Sequence, residues 1–175
     1  MKIIGITGDS GVGKSTITLR LSEKLNCPFL DIDKVILNSE YLDTESKTPH
    51  TFKLQSEHFN LLIDNLKNTE SPISILINNL VEQEISKISE MNNIAIVEWM
   101  FLPYLKVWQD CNTKILINTD EILRRNNAIK NNLITEKQFN ECVSIAKLDY
   151  NKFDYDYIFE NNYDEKSLEN ILNKF

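Results

Sequence analysis

Glycine is nearly missing from this chain: its four glycines, Gly5, Gly8, Gly11 and Gly13, all fall within the first thirteen residues. No later turn or switch can depend on glycine. The frequent asparagines are the natural substitutes in left-handed turns and helix C-caps, although an Ile-, Asn- and Lys-rich composition is also what an AT-rich genome produces. Cysteine is sparse as well. Cys27, Cys111 and Cys142 are odd in number and never form a C-x-x-C pair, which argues against a disulfide framework or zinc ribbon and points to a reducing cytoplasm. His50 and His58 have no partner set for a metal. The most apolar stretch, 73–81, is interrupted by Ser74, Asn78 and Asn79, short of the roughly eighteen residues of a spanning helix. A soluble chain without a membrane partner is therefore expected, and Ile3-Ile4-Gly5-Ile6 is too short for a secretory signal. Lys and Arg number 19 against 26 Asp and Glu, a formal charge of −7. That charge disfavours nucleic acid as a partner, so any bound anion must be held locally.

What is present suits one compact domain: 175 residues, 42% hydrophobic and 26% charged. Residues 2–7 read as a buried strand and 8–13 as a tight loop. Residues 14–25 read as a helix, with Ile17, Leu21 and Leu25 on its apolar stripe. Asn26-Cys27-Pro28 breaks that helix, and 29–32 forms a second strand. Residues 34–90 are helical and polar, with breaks at Thr48-Pro49 and Ser71-Pro72, where Ser71 caps the helix that follows. Further strands are predicted at 94–97, 114–118 and 155–159, and helices near 119–130, 135–147 and 164–174. This alternation predicts an α/β fold with a five-stranded parallel sheet flanked by helices. The expected division is a core of 1–34, 91–119 and 153–175, a helical insertion of 35–90 and a helical lid of 120–152.

The glycines are concentrated where they carry chemistry. Gly8-Asp9-Ser10-Gly11-Val12-Gly13-Lys14-Ser15, followed by Thr16, satisfies G-x-x-x-x-G-K-[ST] between a strand and a helix. Such a loop turns successive backbone N–H groups onto a phosphate at the positive end of the new helix. Lys14 adds a mobile charge, and Ser15 is a ligand for Mg²⁺. A dinucleotide fingerprint fits less well, because no third glycine follows Gly11-Val12-Gly13. ATP or another nucleoside triphosphate is the implied ligand. A GTPase switch needs a later glycine, and Asn151-Lys152-Phe153-Asp154, although it spells a guanine-reading string, precedes a strand rather than ending one.

Two acidic positions and two arginines complete the candidate site. Asp33 follows the second strand, where parallel sheets face their ligand, and suits a base that takes a proton from an attacking hydroxyl. Helix capping is the competing use of Asp31 and Asp33. Glu98 ends the third strand, a place for a carboxylate near a metal's water shell, with a solvent-facing strand end as the alternative. Trp99, Met100 and Phe101 form an apolar wall beside it. Arg124 and Arg125 are adjacent, so only one points fully inward; a lid guanidinium stabilises a transferring phosphoryl group. Lys130, Lys137, Lys147 and Lys152 continue the basic bias of that segment, most of them suited to a solvated face.

The order of these motifs resembles the dephospho-CoA kinases. Ile3-Ile4-Gly5-Ile6-Thr7-Gly8 with Gly13-Lys14-Ser15-Thr16 is similar to that family's opening, and Phe29-Leu30-Asp31-Ile32-Asp33-Lys34 to its D-x-D segment. Residues 76–85 resemble its L-H-P-L-V helix, with Asn78-Asn79 in place of His-Pro, and 156–161, ending in Asn161, its closing strand. Glu98-Trp99-Met100-Phe101-Leu102 stands where the family has P-L-L-F-E, and Lys130 is the nearest cation to its second lid arginine. Shikimate-kinase-like enzymes carry a glycine pair after the third strand, which this chain lacks. The resemblance implies ATP and Mg²⁺ as cofactors and phosphorylation of the ribose 3′-hydroxyl of dephospho-CoA. It also implies Asp33 as base, Asn161 at the nucleotide and 35–90 as the acceptor-binding insertion. A kinase of another small hydroxyl acceptor, nucleoside or nucleotide, and an ATP-binding regulator without transfer are the alternatives.

Overall fold

The computed structural model describes residues 1–39, 56–130, 135, 136, 139, 140 and 148–175. His50, Cys142, Lys137, Lys147 and the Thr48-Pro49 break lie outside the described residues, as does the side chain of His58. The elements run β1 (Lys2–Thr7), α1 (Lys14–Leu25), β2 (Phe29–Asp31), α2 (Ile32–Asn38), α3 (Ser56–Lys67) and α4 (Pro72–Ser89). They continue with β3 (Ile94–Glu98), α5 (Lys106–Asp110), β4 (Thr113–Asn118), α6 (Glu121–Lys130), β5 (Tyr157–Glu160) and α7 (Glu165–Leu172). Short 3₁₀ turns occupy Leu102–Tyr104 and Tyr150–Lys152.

The five strands form one parallel sheet in the order β2-β3-β1-β4-β5. β1 is central and buried on both faces, which is why its apolar residues run nearly unbroken rather than alternating with polar ones. Ile3 joins Leu30, Val97, Trp99 and Trp108 on the face covered by α2 to α5. Ile4 and Ile6 join Ile17, Leu21, Ile96, Ile115 and Ile171 under α1 and α7. Gly5 permits a close approach: a Cβ there would lie 2.7 Å from Cys111 Sγ and 2.9 Å from the Trp108 ring.

Several boundaries differ from the sequence reading. Ile32 is the first residue of α2 rather than the last of a strand, because the Asp31 carboxylate caps that helix, accepting from Lys34 N at 3.4 Å. β3 runs on to Glu98, which pairs with Asp31 on one side and Ile6 on the other. β5 begins at Tyr157 rather than 155, since the Asp156 side chain takes the Lys114 N–H at 2.7 Å before the ladder opens with Ile115 and Tyr157. Ser71 caps α4 as expected, its Oγ accepting from Ser74 N at 3.0 Å. No helix among the described residues is long and apolar enough to cross a membrane.

Candidate active site

β1 delivers the chain to its C-terminal edge at Thr7, and the glycine loop reverses it into α1. Gly13, the residue before the helix, has φ 90°, a left-handed value that an L side chain rarely adopts, and it brings no side-chain cap to the first turn. The leading amides of a twelve-residue helix are thus left for an anion. Lys14 is 9% exposed, and its Nζ donates to the Asp9 carbonyl at 2.9 Å. Burial lowers its pKa from the ordinary lysine value, while the charges of Glu98, Asp33, Asp9 and Asp31 pull it back up.

The segment after β5 holds the loop from outside. Asn161 Nδ2 donates to the Val12 carbonyl at 2.8 Å and the Tyr163 hydroxyl to the Gly11 carbonyl at 2.6 Å. Tyr163 has φ 59°, in a left-handed turn where its own N–H returns to Asn161 Oδ1 at 3.0 Å. Asn161, read from the sequence as a nucleotide-binding residue, is buried with its amide nitrogen donating to the loop. Tyr163 is a supporting residue that sequence reasoning missed; nothing in its local pattern distinguishes it.

Glu98 is not a solvent-facing strand end. It is 5% exposed and accepts from Ser15 Oγ at 2.9 Å and Thr18 Oγ1 at 3.0 Å. Burial raises its carboxyl above the ordinary range, opposed by the Lys14 charge and the bond from Ser15. Asp33, on the first turn of α2, accepts from the Trp99 indole Nε1 at 2.7 Å. The Met100 carbonyl next to that indole accepts from Thr7 Oγ1 at 3.0 Å and from the Tyr150 hydroxyl at 3.3 Å. The ends of β1, β2 and β3 therefore bring Lys14, Ser15, Glu98 and Asp33 into one region.

The two arginines separate. Arg124 is 8% exposed, with Nη1 2.8 Å from Asp9 Oδ2 and its guanidinium 5.3 Å from the centre of the Phe139 ring. Arg125 turns to Glu136. Asp9 Oδ1 and Arg124 Nε are buried without a hydrogen-bond partner among the described residues. Lys130 and Lys152 are exposed, Lys152 lying 3.3 Å from Asp149. Ser10, Gly11 and Val12 complete the loop, and Thr16 is exposed on α1. No cluster of three His, Cys, Asp or Glu side chains suited to a metal occurs among the described residues. Any ion here would need ligand oxygens beyond those of the side chains.

Similar folds occur among solved structures. The chain is similar to TT1252 from Thermus thermophilus, with a TM-score of 0.69 and 20% identity, covering 99% of this chain and 95% of that one. It is similar to shikimate kinase from Bacteroides thetaiotaomicron, with a TM-score of 0.58, 16% identity and coverage of 99% and 95%. It is also similar to deoxyadenosine kinase from M. mycoides with bound dATP, with a TM-score of 0.54, 16% identity and coverage of 99% and 98%. The fold is that of the P-loop NTPases of kinase type. A protein-family model described as an AAA domain matches residues 4–142, and the chain belongs to that family. No curated protein matches the sequence.

Proposed function

We propose that the protein is an ATP-dependent kinase that transfers the γ-phosphoryl group to a hydroxyl of a small molecule, with dephospho-CoA as the acceptor. The observation that carries this reading is the buried Lys14 at the mouth of the loop, within the fields of both Glu98 and Asp33. A triphosphate gives the Lys14 ammonium an anionic partner, whereas the Asp9 carbonyl is a neutral acceptor. The loop amides and Lys14 hold the β- and γ-phosphates. Arg124, one contact away on Asp9, supplies charge to the transferring oxygens. Gly8 to Thr16 bind the nucleotide, and Asn161 braces that loop.

Ser15 and Glu98 fit Mg²⁺. Their hard oxygens meet at 2.9 Å, and a set of one hydroxyl and one carboxylate suits an ion that keeps waters and phosphate oxygens in its shell. When bound there it neutralises phosphate charge. Asp33 orients the acceptor hydroxyl and takes its proton as the hydroxyl oxygen bonds to the γ-phosphorus. The bond to the β,γ-bridging oxygen breaks and ADP departs. The segment 35–90, which contains α3 and α4, forms the acceptor-binding insertion in this reading, and 120–152, which contains α6, forms the lid.

The order of motifs supports dephospho-CoA, and the fold shared with a shikimate kinase and a deoxyadenosine kinase supports a kinase of small molecules more broadly. Asp33→Asn separates transfer from binding. Turnover measured as ADP release with ATP, Mg²⁺ and dephospho-CoA should fall by about 100-fold or more, with ATP affinity unchanged within about threefold. Equal turnover in the variant contradicts the role of Asp33, and a panel of nucleosides and nucleotides run alongside tests the choice of acceptor.

A further inference from the structure

We infer that Trp99 is a positioning residue for Asp33: its indole N–H fixes the carboxylate for proton transfer, a role beyond that of the apolar wall it forms. The inference rests on the kinase reading above. Trp99 is 2% exposed, and its Nε1 lies 2.7 Å from Asp33 Oδ1, a short bond to a side chain 66 residues away in the chain. An indole nitrogen only donates, so a buried one needs an acceptor; this one finds it in the carboxylate proposed as the base.

The donor itself is held firmly. The Trp99 backbone N–H continues the sheet by donating to the Ile6 carbonyl at 3.1 Å, directly after β3. Phe101 meets the indole edge-on, with ring centres 5.1 Å apart and planes at 78°. Asp33, by contrast, is only partly buried, on the first turn of a seven-residue helix. The indole N–H is one restraint on the rotation of that carboxylate's terminal torsion. The rigid sheet thereby sets the orientation of a side chain carried by a short helix. A Phe at position 99 would occupy part of the indole's space and leave the carboxylate without this bond.

Trp99→Phe keeps an aromatic ring, smaller than the indole, and deletes the donor. With ATP, Mg²⁺ and dephospho-CoA, kcat is expected to fall about 10- to 100-fold while KM for ATP stays within about twofold, because the substitution leaves the phosphate loop untouched. A kcat equal to wild type overturns the inference and leaves the kinase reading standing. A matched loss of ATP affinity also overturns it, since that marks general damage. A second measurement does not depend on that variant. Of the two indole N–H resonances of the ¹⁵N-Trp-labelled protein, from Trp99 and Trp108, one should move upfield in Asp33→Ala; two unmoved resonances overturn the contact. A wild-type protein that transfers phosphate to no acceptor overturns the proposed function, and this inference with it.

Discussion

Consecutive residues on a helix point about 100° apart, so Arg124 and Arg125 cannot serve the same site. Arg124 lies against Asp9 and Phe139 with a side-chain exposure of 10%, whereas Arg125, at 41%, pairs with Glu136. Arg124→Ala should therefore lower kcat by about 100-fold or more. Arg125→Ala removes an exposed pair and should change kcat by less than about threefold. Steady-state kinetics of the two variants decide the assignment; the reverse order would move the lid charge to Arg125. At this scale, Lys14, Ser15, Asp33 and Glu98 lie together at the strand ends, and the roles given to them belong to the proposed function. The contact between Trp99 and Asp33 was not legible, because an indole at a strand end reads as an apolar residue and its N–H partner lies on another element.

At the scale of elements, the Asn78 side chain bonds both α4 and the start of α5. Asn78 Nδ2 donates to the Ser74 carbonyl at 2.8 Å, and Asn78 Oδ1 accepts the Lys106 N–H at 2.8 Å. The residue before α5, Leu105, has no side chain able to cap it, so the acceptor comes from the neighbouring helix. Asn78 stands where the dephospho-CoA kinases, which the sequence resembles, have the His of an L-H-P-L-V helix, and here it bonds both helices. Asn78→Ala strands a backbone donor and should cost about 1–3 kcal/mol, read as a lower urea midpoint with an unchanged slope. A midpoint equal to wild type would mean that water replaces the side chain. The five strands and most of the helices were visible as apolar runs and helical stretches, but α5 was not. The order β2-β3-β1-β4-β5 was not, since parallel pairing joins strands far apart in the chain. Nor was the start of β5, which depends on the Asp156 contact with Lys114.

For the whole molecule, buried weak acids set a limit at high pH. Burial pushes the Cys111 thiol up to about 12 from 9.0. It likewise raises the Tyr104, Tyr150 and Tyr155 hydroxyls above their ordinary 10.0. The folded chain therefore keeps these protons at a pH where the unfolded chain releases them. Their stabilising contribution is complete below the unfolded values of 9.0 and 10.0 and is lost as pH rises toward the folded ones. Denaturation midpoints should be level from about pH 7 to pH 9 and fall steadily above about pH 10. A midpoint that holds to about pH 11 would contradict this account of the aromatic and thiol environment.

The same whole-molecule view makes the central claim chemical. In the proposed reaction a chain with a formal charge of −7 holds its anion through a local loop, with Asp33 and Arg124 serving the transfer. The most direct measurement is incubation of the protein with ATP, Mg²⁺ and dephospho-CoA, followed by mass analysis of the small molecules. The account predicts that dephospho-CoA gains one phosphoryl group with an equal yield of ADP. Dephospho-CoA recovered unchanged, by a protein that binds ATP, would contradict it.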